Sequence, residues 1–214
     1  MTHAYNEEYL DDAMKNLGDM VDYAVHACHY EPDEFLDLFI FSGIARQFEN
    51  GNPKYVAGMS GVELAQTVLR NTNGITEFPD ALLSEEYGRE YWAGWILAYY
   101  QWIRHRRFED IVTDGLPLSK ICDMYVLHEA DPSKFVENAD IIIERYKRQR
   151  PTKLQIIRKA RRFTQQQLSE VSGVTLRMIQ LYEQRQNDIN KAQVNVVVNL
   201  ARALGCDVED LLEY

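Results

Sequence analysis

Residues 164–183 read TQQQLSEVSGVTLRMIQLYE, and their pattern predicts the fold of the C-terminal part of the chain. Thr164 is followed three residues later by Gln167, which is the spacing of a capping box at the start of an α-helix. Gly173 can adopt the positive φ angle that a tight turn requires, and Thr175 can cap a second helix that runs to about Glu183. The stretch therefore predicts two short helices joined by a glycine-containing turn, the helix-turn-helix arrangement.

The residues upstream of this stretch predict a further short helix and a domain boundary. Pro151 would cost about 3 kcal/mol inside a helix, so we expect the preceding helix to end there. We therefore predict an acidic helical domain at residues 1–150 and a helix-turn-helix domain at residues 151–214. The apolar residues expected to face the core at the start of the second domain are Leu154, Ile157, Ala160, Leu168 and Val171.

Taken together, the residues from Thr152 to Leu212 resemble the XRE or lambda-repressor-like helix-turn-helix family, the Cro and phage repressor type. The residues that carry the resemblance are Thr164-Gln165, Leu168, Gly173-Val174-Thr175, Ile179, Tyr182-Glu183, Leu200-Ala201-Arg202-Ala203-Leu204-Gly205, Asp207, Leu211 and Leu212. The resemblance implies a five-helix domain that binds double-stranded DNA. Its third helix would lie in the major groove, and the start of its second helix would meet the DNA backbone.

The resemblance also assigns candidate DNA-binding residues. Gln165 matches the position at the start of helix two where a side chain and backbone amides meet phosphate. The remaining candidates match the recognition helix, at its start and one turn further along: Thr175, Leu176, Arg177, Gln180 and Leu181. Arg177 could bond guanine through two N–H groups, and Gln180 could pair with adenine. Ile179 and Tyr182 match core positions, and Glu183 matches a structural glutamate of the family.

Two features depart from the family pattern. The family usually has Gly where this chain has Arg185, so we expect a differently shaped loop from Gln184 to Asn190. The side chains of Leu176, Met178 and Leu181 are apolar at positions that should face outward. They could contact thymine methyl groups or another protein, or the alignment could be wrong by one residue.

The charge distribution is uneven along the chain. The net charge of −10 should repel a polyanion such as DNA. However, residues 1–150 hold 14 basic and 26 acidic groups, whereas residues 151–214 hold 9 basic and 7 acidic groups. The window 145–162 contains nine basic residues and no acidic one. From this window we predict four phosphate contacts, namely Arg158, Lys159, Arg161 and Arg162.

The first 150 residues read as about six helices, so we predict an all-α protein. Helix starts are indicated by Pro32, by Ser60 with Glu63, by Ser84 and by Asp131-Pro132. The helix predicted from Glu85 to about Phe108 is rich in aromatic residues, and it is either the central core helix or a surface for a partner. Its aromatic cluster consists of Tyr91, Trp92, Trp95, Tyr99, Tyr100 and Trp102.

We found no pattern that predicts a metal site, a cofactor or catalysis. His26 and His29 would share a helix face, but Cys28 would point roughly 130° away from it. The other candidate ligands, Cys122 and His128, are distant in sequence. The carboxylate pairs are adjacent in sequence, and so would point about 100° apart on a helix. These pairs are Glu85-Glu86 and Glu109-Asp110.

Cysteine spacing and hydropathy suggest where the protein resides. Cys28, Cys122 and Cys206 are odd in number and far apart, as in a reduced protein without disulfides. The longest nearly apolar run, Tyr91 to Ile103, is too short to span a bilayer. We therefore expect a cytoplasmic protein that does not enter a membrane.

Two functional hypotheses follow. In the first, the chain is a DNA-binding transcriptional regulator, a repressor, whose N-terminal domain dimerises or senses a signal. We expect a homodimer here, because such domains usually bind two half-sites. In the second, the chain is an antitoxin whose acidic N-terminal domain neutralises a toxin while its C-terminal domain represses the operon. An enzyme fused to a DNA-binding module would need a catalytic pocket that the sequence does not indicate.

Overall fold

A computed structural model describes residues 3–81 and 87–213. Within these ranges all regular structure is helical, which confirms the all-α prediction. The chain divides into two compact units, Met1–Glu144 and Arg145–Tyr214. Ser84, which was predicted to open the aromatic helix, and the pair Glu85-Glu86 lie outside the described residues. None of the described helices is long and apolar enough to cross a membrane.

The described part of the first unit and the segment that follows it contain nine α-helices rather than six. Four of them have only four to six residues, which is too short to show a helical period in sequence. Two short 3₁₀ helices, Glu7–Tyr9 and Tyr125–Glu129, accompany them. The α-helices are α1 (Leu10–His26), α2 (Pro32–Phe41), α3 (Ile44–Glu49), α4 (Pro53–Val56), α5 (Gly61–Asn73), α6 (Arg89–Arg104), α7 (Phe108–Thr113), α8 (Leu118–Cys122) and α9 (Pro132–Gln149).

Helices α1 and α6 pack closely at the centre of the first unit. Their backbones meet at Gly94, where an added Cβ would lie 2.4 Å from the carbonyl oxygen of Leu17. Around this contact α6 buries Trp92, Tyr100 and Trp102, while its other clustered aromatic side chains are partly buried. The aromatic cluster thus contributes to the core of this unit.

The aromatic helix is shorter than predicted. Helix α6 ends at Arg104 because His105 adopts a left-handed conformation with φ of 49°. The next helix begins at Phe108, whose backbone N–H donates to Oε1 of the buried Glu49 at 2.5 Å. Burial raises the pKa of the Glu49 carboxyl, and this hydrogen bond opposes the shift. Phe108 therefore begins α7 instead of ending α6.

The second unit is a small helical domain that begins with the last turns of α9. Helix α9 ends at Gln149, just before Pro151, as the sequence predicted. The core of the second unit is built mainly from leucine and isoleucine side chains of several helices. The further helices are α10 (Lys153–Ala160), α11 (Gln165–Ser172), α12 (Leu176–Glu183) and α13 (Val194–Leu204), with 3₁₀ helices at Ile189–Lys191 and Glu209–Leu211.

The turn chemistry of this unit agrees with the sequence. Thr164 and Gln167 form the predicted capping box, with N···O distances of 3.1 and 2.9 Å. Gly173 has φ of 70°, and Thr175 caps α12. Two inward assignments were wrong: the side chain of Val171 is 61% exposed and Ala160 is exposed. Both follow the helical spacing of apolar residues but lie at the edge of the buried face.

Candidate nucleic-acid interface

Helix α12 presents the predicted base-reading residues on its outer side. Thr175 and Arg177 are exposed, and Leu176, Gln180 and Leu181 are partly exposed. At a helical rotation of about 100° per residue, positions 176, 177, 180 and 181 share one face. The opposite face is fixed to the core by its buried side chains, Ile179, Tyr182 and Glu183. This burial fits the register used to assign the outer residues.

Arg177 and Gln180 carry the polar groups of this outer face. Within residues 3–81 and 87–213, neither side chain forms a hydrogen bond or an ion pair. A guanidinium offers up to five N–H donors, and an amide offers both a donor and an acceptor. These groups can therefore bond an external partner without breaking an internal contact.

The three apolar residues of α12 do not behave alike. Met178 packs against the core of the unit, and its sulfur lies 3.9 Å from the Asn187 amide nitrogen. Leu176 and Leu181 remain partly exposed and are not part of that core. The outward assignment was therefore wrong for Met178, and only the two leucines are available for an external apolar contact.

A buried ion pair joins α10 to the end of α12. The Arg158 guanidinium binds both carboxylate oxygens of Glu183, with N···O distances of 2.5 and 2.8 Å. It also donates to the carbonyl oxygen of Phe163 at 2.7 Å. Hydrogen bonding to Glu183 raises the pKa of the guanidinium. Arg158 is only 7% exposed and is paired in the interior of the unit, so the prediction that it contacts phosphate was wrong.

Gln165 is also attached to this pair. Its side-chain amide donates to Oε2 of Glu183 at 2.7 Å, which fixes the side chain beside α12. Gln165 is the first residue of α11, where a backbone N–H has no acceptor within the helix. An anion at this helix start would therefore meet a free amide and the positive end of the helix dipole.

The remaining basic candidates lie around the connection between α10 and α11. Lys159, Arg161 and Arg162 are exposed. Arg161 donates to the carbonyl oxygen of Gly205 at 3.0 Å, and Arg162 adopts a left-handed conformation with φ of 61°. Lys159 lies in the last turn of α10, and Arg161 and Arg162 follow it, all within six residues before Gln165. Their exposure and charge keep them as predicted phosphate contacts.

Arg185 lies in the loop after α12, at the position where the family usually has Gly. Its φ is 54°, in the left-handed region that favours glycine, so the arginine keeps a conformation that a glycine would readily take. Its guanidinium pairs with Glu213 at 3.0 Å, and the other carboxylate oxygen of Glu213 accepts the backbone N–H of Lys153 at 2.7 Å. No sequence pattern indicates Glu213, because its partners Lys153 and Arg185 are remote along the chain.

The histidine and acidic side chains of the first unit pair with one another in places. His26 lies 3.4 Å from a carboxylate oxygen of Glu90 and 3.6 Å from one of Asp22. In the part of the chain that the structure describes, no three ligand-type side chains are placed to hold one ion. Glu109 pairs instead with Arg107 at the surface, at 2.6 Å.

Comparison with known proteins identifies the family of the second unit. Residues 153–214 match the family model of the Cro/C1-type HTH DNA-binding domain, and the N-terminal region is not matched. Comparisons with curated proteins and with solved structures gave no match. The family predicted from the sequence is thus confirmed for the C-terminal domain, whose helices α11 and α12 form its helix-turn-helix.

Proposed function

We propose that this chain is a sequence-specific DNA-binding transcriptional regulator that acts as a repressor. The family match supports DNA binding by residues 153–214. The observation that carries the proposal is the outer face of α12, where Arg177 and Gln180 are accessible and not engaged with other described side chains. Such a face is what a helix needs in order to read base edges in the major groove.

The proposed complex divides its contacts between phosphates and bases. The start of α11 with Gln165, and the exposed Lys159, Arg161 and Arg162, bind phosphates and set the position of the domain. Arg177 bonds a guanine and Gln180 an adenine. Leu176 and Leu181 contact thymine methyl groups, and Thr175 contacts the edge of the groove. Bound to an operator as a homodimer, the protein excludes the transcription machinery from that site.

The proposal is tested by selecting duplexes from a random DNA pool with the full chain. The wild-type protein should enrich one sequence, because fixed side chains face fixed base edges. Arg177→Ala should lose the preference at one base pair, at a cost of about 1–3 kcal/mol in discrimination, and should retain most of its general affinity. Arg202→Ala removes an exposed arginine of α13 and serves as the control, with an unchanged preference. The absence of any enriched sequence would refute the proposal.

A second candidate function is that of an antitoxin. It is favoured by the charge of the first unit, which holds 10 basic and 26 acidic residues. On α2, Phe41 is 82% exposed and shares a helix face with exposed Asp37 and Glu34. Such a surface suits a basic partner with an apolar contact residue.

The antitoxin function is tested in cells with a neighbouring reading frame from the genome. Expression of a toxin should arrest growth, and co-expression of the full chain should restore it. Phe41→Ser should abolish the rescue, whereas Arg177→Ala, which alters only the DNA-binding face, should leave it intact. A neighbour that is harmless when expressed alone would exclude it as the toxin.

A further inference from the structure

A cavity in the first unit lies beside the C-terminal end of α1. Its volume is about 370 Å³, which is in the range of sites that bind small molecules. Ala27, Cys28 and His29, the three residues that follow α1, contribute to its lining. The other lining residues come from Tyr30, from α2, from α5 and from the irregular segment that follows α5.

The irregular segment after α5 forms one wall of the cavity and is held in place by side chains of two helices. The hydroxyl of Tyr23, a buried residue of α1, donates to the carbonyl oxygen of Pro79 at 2.6 Å. The Arg70 guanidinium of α5 lies over the ring of Phe78, 5.5 Å from its centroid. Because these contacts fix the wall within the chain itself, a ligand does not have to order it on binding.

The electrostatic surroundings of the cavity favour a positive charge. Glu34 of α2 and Glu77 of the wall segment both line it and are exposed. Within residues 3–81 and 87–213, neither carboxylate forms a hydrogen bond or an ion pair. None of the residues that line the cavity is a lysine or an arginine. The C-terminal end of α1 adds about half an elementary negative charge from the helix dipole.

The rest of the lining is apolar or aromatic. Leu69 is buried, and Ile75 and Phe78 are partly buried. The Tyr30 ring is fixed because its hydroxyl accepts a hydrogen bond from the Asn73 amide at 2.9 Å. Such side chains bury a hydrocarbon body, and the face of an aromatic ring attracts a cation. The cavity therefore suits a ligand with one positive group on an apolar body.

We propose that this cavity binds a small organic amine in its protonated form. The ammonium group donates to the carboxylates of Glu34 and Glu77, and the hydrocarbon body packs against Leu69, Ile75 and Phe78. An anionic ligand would be repelled by both carboxylates. A bare metal ion fits less well, because no three ligand-type side chains of the described residues are placed to hold one ion. This site is separate from the DNA recognition proposed for the second unit and does not depend on it.

The test compares three probes that share a phenyl ring and differ in charge. They are phenethylammonium, phenethyl alcohol and phenylpropionate, titrated into the full chain without DNA and followed by calorimetry. An exposed ion pair contributes roughly a threefold gain in affinity, so two carboxylates should make the amine bind about tenfold more tightly than the alcohol. Phenylpropionate should bind more weakly than the alcohol. No binding of the amine, or equal affinity for the amine and the alcohol, would overturn the proposal.

Neutral variants of the two glutamates locate the charge effect. Glu34→Gln and Glu77→Gln should each weaken amine binding about threefold, and the double variant should bind the amine no more tightly than the alcohol. Affinity for the alcohol should stay unchanged in all three variants. Glu34 also belongs to the acidic face of α2, so Asp37→Asn is the matched control. Asp37 is an exposed carboxylate on that face outside the cavity, and its variant should bind the amine as the wild type does. An unchanged amine affinity in the double variant would overturn the proposal.

Cys28 gives a readout of position that does not depend on charge. It lines the cavity and is partly exposed, whereas Cys206 is a partly exposed thiol of the second unit. At an amine concentration about ten times the dissociation constant, Cys28 should react with iodoacetamide about tenfold more slowly. The alkylation of Cys206 should not change, and mass spectrometry follows both thiols. Amine binding without protection of Cys28 would place the amine elsewhere and overturn the proposal. The duplex selection described above can succeed or fail independently of these results.

Discussion

The buried pair of Arg158 and Glu183 gives a quantitative prediction for the DNA-binding unit. Their side chains are 8% and 2% exposed, so solvent screens neither charge. Glu183→Gln keeps the shape of the side chain but leaves the guanidinium without a counter-charge. Breaking a buried pair in this way costs about 3–5 kcal/mol. The glutamine can still accept one hydrogen bond from Arg158, so we expect the lower end, about 3 kcal/mol.

A loss of this size is large for a small domain, whose whole stability is only about 5–10 kcal/mol. Fluorescence would not detect it, because all three tryptophans, Trp92, Trp95 and Trp102, lie in the first unit. Hydrogen exchange of the α12 amides measures it directly. Since about 1.4 kcal/mol corresponds to a tenfold change, exchange in Glu183→Gln should be faster by about a hundredfold.

Two further variants separate the buried charge from other effects. Lys191→Gln removes an exposed ion pair with Asp188, whose side chains are 85% and 46% exposed, and should cost less than about 1 kcal/mol. Arg158→Met combined with Glu183→Leu removes both buried charges and should recover part of the loss. The reasoning is refuted if Glu183→Gln exchanges no faster than Lys191→Gln.

Two other positions, Arg185 and Gly94, give predictions that follow from the described contacts. Arg185→Gly relieves a left-handed conformation worth about 1–2 kcal/mol but loses the pair with Glu213, so stability should change by no more than about 1 kcal/mol. Arg185→Ala loses the ion pair but keeps a strained left-handed residue, so it should be less stable than the glycine variant. Thermal unfolding followed by circular dichroism compares the two variants. Equal stabilities would contradict the account. Gly94→Ala brings a methyl group to 2.4 Å from Leu17 and should destabilise the first unit by about 1–3 kcal/mol, seen as a lower urea midpoint in tryptophan fluorescence. Gly74→Ala adds no clash, since nothing lies within 4 Å of its added Cβ, but it puts alanine at φ of 66°. It should therefore cost only about 1 kcal/mol, from backbone strain and not from the packing of α1 against α6.

The second unit was predictable because its signals are local. The capping box at Thr164, the turn at Gly173 and the cap at Thr175 each depend on residues within four positions of one another. The short helices of the first unit lacked such signals: α4 has four residues and α8 has five, fewer than two helical turns. The end of α6 at His105 depends on the conformation of a single residue, which its sequence does not indicate.

The candidate interface was predictable in outline but not in every residue. A run of basic residues indicates a positive surface, but it does not say which side chain turns inward. Arg158 lies four residues after the buried Leu154, on the same helix face, so helical spacing did contain the signal of its burial. Its partner Glu183 follows 25 positions later, and only the packed structure shows that the two charges meet. Met178 was also wrongly placed on the outer face, because the core against which it packs is formed by several helices.

In the proposed complex, α12 reads a specific DNA sequence while basic residues nearby bind phosphates. The most direct measurement is the affinity of the full chain for its selected duplex and for a scrambled duplex, across a range of salt concentrations. With Lys159, Arg161 and Arg162 of each monomer neutralising phosphates, about six per homodimer, log affinity should fall against log salt with a slope of about −5 on both duplexes. The selected duplex should bind more tightly at every salt concentration. Equal affinity for both duplexes, or an affinity that does not depend on salt, would contradict the account.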